Sequence, residues 1–463
     1  MNTNDVLGRN RRAIDPTRSR ANLRKLVAAV TVSNFGDGIS LLAYPWLASA
    51  ITRNPLLIAL VAVSQRLPAL LFSLPAGVAA DRYDRRRLMI GANVIRTALT
   101  LGVAAVILTR RSGLPGPDEV TEFVSTDSVL YMTLIVATLL LGIAEVVYDT
   151  SAQAFLPLIV ADDDLERANG RLLAAEIVSN QFIGPPVGSA LLAVGAALPF
   201  IVDGATFAVS AALMALVVTL PRTMAPPNAA TSATLTPAPS WRSEMKAGIQ
   251  WLWRHKPLRD IALIVAALNL FHILTMAAYV LFAQEVLGTS AFHFALIGAT
   301  GAAGALLGGW AAPRIRLRLG RSGAIRLVLL GASAFSFVVG VSSSWVLAAA
   351  MFAVADFLSV VLNVVTISYR QQLVPDALLA RVNSVYRVMV GGVLPIGLVL
   401  GGLLMAAVEP LTSRTTALRS PWIVAGFGEL AVLLVAWRRL QHIDHDVDTG
   451  SSPDGMAITP PVQ

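Results

Sequence analysis

Two oppositely charged residues lie within long apolar stretches near the start of the chain, where ionisable groups are costly to bury and usually mark function. Asp37 falls in the first stretch and Arg66 in the second. At about 1.5 Å per helical residue, Asp37 lies about 18 Å along its helix, near the middle of a membrane, and Arg66 lies at a similar depth. Because a neighbouring guanidinium affects the protonation of a carboxylate, the pair predicts a proton carrier that bound substrate can disturb. The alternative is a permanent ion pair that only fixes helix packing.

Two further acids share one face of the fourth apolar stretch. Glu145 and Asp149 are four residues apart, so a helix presents them on the same side. Glu145 lies one turn deeper in the membrane, and we expect it to handle protons or a cationic substrate. Asp149 lies nearer the cytoplasmic end of the stretch.

The second half of the chain carries its own polar groups. A stripe of residues spaced three or four apart predicts one polar helix face: Asp356, Ser359, Asn363, Thr366 and Arg370. In lipid such a face either turns toward a cavity or forms hydrogen bonds between helices, worth about 1–2 kcal/mol each. His272 lies at the depth of Asp37, and its titration range suits proton coupling. A packing or hydrogen-bonding role is the competing interpretation for His272.

Composition identifies the elements that must position these residues. Apolar residues make up 55% of the chain and charged residues 14%, with a mean hydropathy of +0.67, whereas a soluble domain carries about a quarter charged residues. The apolar stretches are long enough to cross about 30 Å of hydrocarbon as helices, and lipid leaves helix as the only conformation for such runs. We predict about twelve transmembrane helices, near residues 25–51, 56–80, 88–109, 129–152, 171–197, 199–219, 258–285, 292–313, 323–343, 344–372, 382–408 and 420–438.

Sequence matches relate the first six predicted helices to the last six. Three segments recur in the same order: 34–37 with 269–272, 77–82 with 309–314, and 145–148 with 363–366. Parallel repeats of this kind are typical of secondary transporters, whose sites lie between the repeats. The sequence therefore predicts an all-α membrane protein of two pseudo-symmetric six-helix bundles, residues 25–220 and 258–440.

Three segments fall outside the predicted bundles, and we expect all of them to be cytoplasmic. They are an N-terminal tail (1–24), a connector (221–257) and a disordered C-terminal tail (441–463). The connector begins with a Pro-, Ala- and Thr-rich stretch that cannot bury enough apolar surface to fold. Apolar residues at helical spacing from Trp241 to Leu252 then predict a short interfacial helix.

The net charge of +8 follows the predicted topology. Among 36 Lys and Arg residues, the predicted outer loops hold only Arg53, Arg110, Arg111, Arg414 and Arg419. This asymmetry fits the positive-inside rule, so we expect both termini in the cytoplasm and the chain in the inner (plasma) membrane. Positive charge therefore indicates membrane orientation and not nucleic-acid binding.

The composition and motifs also exclude several kinds of chemistry. The chain contains no cysteine, which excludes disulfides, thiolate metal sites and thiol catalysis. Its glycine-rich stretches lack the preceding strand and the lysine of a phosphate loop. We predict no enzyme activity, no cofactor and no metal site.

The loop between the second and third predicted helices resembles a known signature. Residues 77–88 read Gly-Val-Ala-Ala-Asp-Arg-Tyr-Asp-Arg-Arg-Arg-Leu, and with the two-bundle plan they resemble the major facilitator superfamily. Asp84 stands where that signature usually has its second glycine. This departure, Gly-Asp-Gly at residues 36–38 and Trp-Leu-Trp-Arg-His at 251–255 are similar to the macrolide-efflux and enterobactin-exporter-like branch of the superfamily.

The resemblance implies a gate at the cytoplasmic side. Asp81 would meet the N-terminal end of the eleventh predicted helix, where free N–H groups favour an anion, and Arg387 would reinforce that contact. Asp149 would engage the basic residues 85–87. The implied gate comprises Asp81, Arg82, Arg85, Arg86, Asp149 and Arg387. A charged loop that only sets topology is the competing interpretation.

Together, these observations predict a monomeric secondary active transporter that exports amphipathic small molecules by proton antiport with alternating access. Its partners would be the small molecule, protons and the lipid bilayer, without nucleic acid. The predicted cavity residues are Asp37, Arg66, Glu145, His272, Asp356 and Asn363. Export of a siderophore or other metabolite, or lipid transport, stays open, and unpaired Arg66 and Arg96 would favour an anionic siderophore. A non-transporting membrane sensor is the remaining alternative.

Overall fold

The computed structural model describes residues 16–110, 126–160, 164–218 and 241–440. Most of the predicted N-terminal tail, the first part of the connector and the tail from residue 441 lie outside these residues. Helices make up the described ranges, which contain no strand: α1 Pro16–Ile51, α2 Pro55–Arg82, α3 Arg85–Thr109, α4 Ser128–Ile159, α5 Leu165–Glu176, α6 Gly184–Val194, α7 Leu198–Ala215, α8 Trp241–Arg254, α9 Lys256–Met276, α10 Tyr279–Glu285, α11 Ala291–Val341, α12 Trp345–Leu373, α13 Asp376–Val408 and α14 Arg414–Leu440.

Within the described ranges, eleven helices are long and apolar enough to cross a membrane. One of them, α11, has 51 residues and is interrupted at Gly320, whose φ of 69° is left-handed backbone that glycine adopts without strain. At about 1.5 Å per residue, the two parts of α11 are each long enough for one crossing. The chain is therefore a multi-pass, all-α membrane protein, and the predicted fold class is confirmed. The helix predicted in the connector is α8.

A π-helical segment, Ile177–Ile183, joins α5 to α6 within a single span, Leu165–Val194. Segments of this type are frequent at functional sites because they change the direction of side chains along a helix. Gly38 of α1 lies directly against this segment, since a Cβ there would overlap the backbone of Asn180. The close approach brings Asn180 toward the polar face of α1.

Contacts divide the chain into two units, which we call the N-terminal unit (residues 1–236 and 280–299) and the C-terminal unit (237–279 and 300–463). In the N-terminal unit, α7 packs against α1 and α3, and α4 packs against α2 and α3. In the C-terminal unit, α9 packs against α13 and α14. The bundle boundaries inferred from the sequence repeat stay a prediction.

Each unit contains the same kind of aromatic contact, at segments of similar sequence. Leu-Pro-Phe-Ile-Val at the start of α7 (198–202) resembles Ser-Pro-Trp-Ile-Val in α14 (420–424). In the N-terminal unit, Tyr44 meets Phe200 edge to face at 5.1 Å. In the C-terminal unit, Tyr279 meets Trp422 in the same manner at 6.1 Å. Each ring pair buries large apolar area between two helices and so fixes their spacing.

Candidate functional site

A cavity inside the N-terminal unit gathers several ionisable groups of α1, α3, α4 and α7. It contains about 560 Å³ of empty space, part of which opens to the surroundings. Its lining includes Asp37, Tyr44, Arg96, Glu145, Asp203 and Phe207. Three carboxyl groups and one guanidinium thus face one space, together with two aromatic rings that can hold an apolar ligand.

The centre of the cavity is an ion pair between Asp37 of α1 and Arg96 of α3. Arg96 is 3% exposed and Asp37 is 24% exposed, so the carboxylate is the member of the pair that a ligand can reach. Arg96 also donates to Ser33 Oγ at 3.3 Å, and its guanidinium lies 3.9 Å from the Phe207 ring centroid. A buried guanidinium is stable here because a carboxylate, a hydroxyl and a ring face all contact it.

The cation beside Asp37 is therefore Arg96 and not Arg66, the partner that depth along the helices predicted. The reason is helix packing. Because α2 packs chiefly against α4, the acid whose charge acts on Arg66 is Glu145. Depth along a helix does not tell which neighbouring helix a side chain faces.

Asp203 of α7 is a site residue that sequence reasoning missed. It is 1% exposed and accepts a hydrogen bond from Ser40 on Oδ2, whereas Oδ1 is buried without a hydrogen-bond partner. Gly36 makes room for it, since a Cβ there would overlap Asp203 Oδ1. An acid inside a predicted span is the signal that identified Asp37, so the same rule could have found Asp203.

The two acids of α4 are exposed, and neither forms an ion pair within 4.0 Å among the described residues. Glu145 lines the cavity, and Asp149 follows one turn later. Tyr148 lies between them in the sequence and is buried. The centroid of its ring lies 5.9 Å from the Arg96 guanidinium carbon. Glu145 and Asp37 thus line the same cavity.

The signature loop ties three helices of the N-terminal unit together. Arg85 donates to the Ala154 carbonyl of α4 at 2.8 Å, and Arg86 donates to the Met214 carbonyl of α7 at 3.0 Å. Cations near helix C-termini stabilise carbonyls that lack a partner in the helix. Asp81 is 79% exposed and approaches Arg85 at 3.5 Å.

Asp149 makes no ion pair with these arginines in the described residues. Arg82, the last residue of α2, is exposed, and so is Arg387 on α13 in the C-terminal unit.

The residues of the C-terminal unit that the sequence predicts for the cavity lie in different surroundings. The ring of His272 on α9 lies 6.2 Å from that of Phe335. Asp356 of α12 is half-buried against Gly301 of α11, whereas Asn363 is exposed. Arg370 is buried with its guanidinium 3.6 Å from the Tyr386 ring centroid. The predicted polar stripe on α12 thus turns partly inward and partly outward.

The buried acid of the C-terminal unit is Glu429 on α14. It is 1% exposed and accepts a hydrogen bond from Ser336 Oγ at 2.8 Å. No lysine or arginine forms an ion pair with it within the described ranges. In the same part of the chain, no group of three or more His, Cys, Asp and Glu side chains is arranged to hold a metal ion.

Comparison with known proteins adds family relationships to this geometry. The family model of the Major Facilitator Superfamily matches residues 26–394 of this chain. Macrolide efflux protein A of Streptococcus pyogenes is 23% identical over 385 residues, which cover 80% of this chain and 87% of that protein. Multidrug efflux pump Tap of Mycobacterium tuberculosis is 28% identical over 172 residues, which cover 36% of this chain and 37% of that protein.

Solved structures with the same fold cover nearly the whole chain. A crystal structure of the nucleoside transporter NupG superposes with a TM-score of 0.64 at 12% identity, covering 92% of this chain and 98% of that one. A bacterial homologue of the iron transporter ferroportin, in its inward-facing state, gives 0.65 at 15% identity and covers 89% and 99% of the two chains.

Proposed function

This chain belongs to the major facilitator superfamily, and we propose that it exports amphipathic small molecules, lipophilic cations among them, in exchange for protons. Membership identifies it as a transporter of small molecules rather than an enzyme. The names of its macrolide-efflux and multidrug-efflux relatives support drug efflux as the activity. We place the protein in the plasma membrane as a monomer with both termini in the cytoplasm.

The single observation that carries the proposal is the charge balance of the N-terminal cavity. Its lining holds three carboxyl groups, those of Asp37, Glu145 and Asp203, against one guanidinium, Arg96, which already contacts Asp37. A permanent or protonated amine that enters this space gains favourable interactions with the carboxylates, and it competes with a proton for them. Tyr44, Leu41 and Phe207 supply the apolar surface that the rest of an amphipathic molecule needs.

In this mechanism Asp37 carries the transported proton. When Asp37 is ionised, Arg96 neutralises it; when Asp37 takes a proton, its hold on the guanidinium weakens and the cationic substrate loses a counter-ion. Substrate and proton therefore occupy the site alternately, which is the requirement for exchange. We propose that Glu145 and Arg66 assist in the same unit, and that His272, Asp356 and Asn363 contribute from the C-terminal unit.

We propose that Asp81, Arg82, Arg85, Arg86, Asp149 and Arg387 form the cytoplasmic gate. The exposed Asp81 carboxylate is suited to a contact that forms and breaks, because it is anchored only loosely by Arg85. Arg85 and Arg86 support the gate structurally, because they donate hydrogen bonds to the carbonyls of Ala154 and Met214. Asp81→Asn should slow transport while leaving substrate affinity unchanged, and an unchanged transport rate would favour a charged loop that only sets topology.

An anionic siderophore is the second candidate substrate, together with other metabolites and lipids. It would need cations that face the cavity without a counter-ion. Arg96 is buried on Asp37, and Arg66, although exposed, is not among the cavity-lining residues. The observed charge balance favours a cation.

Substrate-triggered proton release from the purified protein tests the proposal. Tetraphenylphosphonium, a permanent lipophilic cation, and a macrolide would be titrated in weak buffer while the pH is followed, with an anionic siderophore as the contrasting compound. We expect the cation to release protons from the wild type and not from Asp37→Asn. Binding without proton release would exclude antiport, and release by the siderophore alone would establish the second candidate.

A further inference from the structure

Asp203 and Arg96 leave complementary atoms unpaired in the same cavity. Arg96 uses Nη1 and Nη2 for Ser33 and Asp37, whereas its Nε is buried without a hydrogen-bond partner. Asp203 uses Oδ2 for Ser40, whereas its Oδ1 is buried without a partner. Buried polar atoms are nearly always satisfied, so a matched donor and acceptor left open in one space call for an explanation.

The explanation we favour is that one guanidinium serves two carboxyl groups in turn. An ionised carboxylate buried without a cation is very costly, and a single guanidinium beside two carboxyl groups fully compensates only one of them. Asp37 holds the guanidinium in the present structure. Asp203 has a neutral hydroxyl as its partner.

We propose that Asp203 is a second proton-binding carboxyl of the transport site, and that Arg96 moves from Asp37 to Asp203 when the proton of Asp203 passes to Asp37. This inference rests on the proposed proton antiport. One O–H bond breaks at Asp203, one forms at Asp37, and the guanidinium moves in the opposite direction. The total charge of the three groups stays constant, which keeps the step accessible inside a membrane.

The position of Asp203 suits a relay. Its carboxyl accepts a hydrogen bond from Ser40 and lies against Gly36, and these two residues flank Asp37 on α1. Asp203 and Asp37 therefore lie at nearly the same level of α1, and both line the cavity that also contains Arg96 and Glu145.

Few charged groups surround Asp203, which makes its titration assignable. From α1 it faces Asp37 and Tyr44, from α3 Arg96, and from α4 Glu145. In the described residues, Arg96 is the cation whose charge acts on it. Asp37 and Glu145 are thus the two groups whose titration must be separated from that of Asp203.

The test measures protons released per tetraphenylphosphonium bound, as a function of pH, by calorimetry in buffers of different ionisation enthalpy. The full-length protein in mild detergent is compared with Asp203→Asn, Asp203→Glu and Asp37→Asn. The matched control is Glu429→Gln, which neutralises an equally buried acid with an equivalent serine partner in the other unit. Retained thermal unfolding transitions identify folded variants.

We expect the wild-type profile to change with pH in two steps, of which Asp203→Asn removes one and Asp203→Glu restores it. Glu429→Gln should keep both steps. An Asp203→Asn profile that superimposes on the wild type overturns the inference, and so does an equal change in Glu429→Gln.

A second variant decides the matter where Asp203→Asn does not fold. Ser40→Ala removes the hydroxyl from Asp203 while keeping the carboxyl, and should move one step by about one pH unit, the effect of one hydrogen bond. An unmoved step contradicts the relay. The failure of the proposed function looks different: the wild type itself then releases no protons. Release that is lost in Asp37→Asn but unaffected by Asp203 substitutions leaves antiport intact and rejects only the relay.

Discussion

The interiors of the two units are built on one plan but filled with different chemistry. Both place a tyrosine edge to face against an aromatic residue at the start of a Pro-x-Ile-Val segment, Tyr44 with Phe200 and Tyr279 with Trp422. Around Tyr44 the N-terminal unit adds the Asp37–Arg96 ion pair and the buried Asp203. Around Tyr279 the C-terminal unit adds aromatic rings instead, among them Phe335 and Phe352.

The aromatic contacts that both units share stabilise the fold, whereas the ionisable groups differ between the units. Repeated aromatic contacts recur because both units must hold two helices at a fixed distance. Among the described residues, the cluster of Asp37, Arg96 and Asp203 lies in the N-terminal unit, where we propose that protons and cations are handled. Glu429 is the exception, a buried acid in the C-terminal unit whose partner is Ser336. Comparing matched substitutions in the two units tests this division of roles.

The largest effect is expected at the two buried arginines. Arg96→Met leaves Asp37 without its cation, and breaking a buried ion pair from one side costs about 3–5 kcal/mol of unfolding free energy. Arg370→Met should cost much less, because no carboxylate forms an ion pair with Arg370 among the described residues. Unfolding followed by tryptophan fluorescence in mild detergent gives both values. Equal losses would show that the units do not differ in this respect.

The serines that support the buried acids form a second matched pair. Ser40→Ala and Ser336→Ala each leave a carboxyl oxygen of Asp203 or Glu429 without its donor, which should cost about 1–3 kcal/mol in both units. Only Ser40→Ala should also alter substrate-triggered proton release. The same unfolding and proton-release measurements apply, and an altered release in Ser336→Ala would assign proton handling to both units.

Closely packed glycines test the shared scaffold. A Cβ at Gly36 of α1 would overlap Thr206 of α7, and a Cβ at Gly428 of α14 would overlap Phe271 of α9. Overpacking of this kind typically costs about 1–3 kcal/mol, so Gly36→Ala and Gly428→Ala should both lower the unfolding temperature.

Gly91 provides the control for these glycines, because nothing lies within 4 Å of the position that a Cβ would take there. Gly91→Ala in the interior of α3 should raise stability by about 0.5–1 kcal/mol. A destabilised Gly91→Ala, or an unaffected Gly36→Ala, would contradict the packing described here.

The smallest effect concerns the N-terminal caps of α4 and α12, two helices that the predicted repeat relates. The pKa of Asp127 lies below its ordinary value, chiefly because the backbone N–H of Leu130 donates to its carboxylate. The charge of Arg110 and the backbone N–H of Val129 lower this pKa further. Because the folded-state pKa is the lower one, the contribution of Asp127 is complete above the ordinary carboxyl range and is lost as pH falls through the folded pKa. Ser344 caps α12 without a charge.

Stability should therefore depend on pH through Asp127 and not through Ser344. Asp127→Asn should weaken the acid dependence of the unfolding temperature slightly, whereas Ser344→Asn should leave that dependence unchanged. Thermal scans between neutral and acid pH, at about 0.1 M salt to limit long-range effects, make the comparison. Parallel curves for wild type and Asp127→Asn would exclude the charged cap.

Hydropathy and run length were sufficient to predict the membrane-spanning helices and the all-α fold class. The repeat boundaries and the membrane depth of Asp37 stay predictions. The sequence was not sufficient to identify the partner of Asp37. Arg66 and Arg96 both lie inside predicted spans, and the choice between them depends on which helices pack together. Asp203 was missed although its sequence signal equals that of Asp37. The break at Gly320 and the π-helical segment before α6 depend on tertiary packing, which periodicity does not report.

We propose that export is coupled to protons at the Asp37–Arg96 site. The most direct measurement is uptake of tetraphenylphosphonium into proteoliposomes with an acidic lumen, with potassium and valinomycin clamping the membrane potential. A permanent cation is not trapped by acid, so accumulation reports exchange with protons. We expect accumulation by the wild type and by Glu429→Gln. Folded, cation-binding Asp37→Asn should accumulate no more than protein-free vesicles. Equal accumulation by wild type and Asp37→Asn, or none by the wild type, would contradict this proposal.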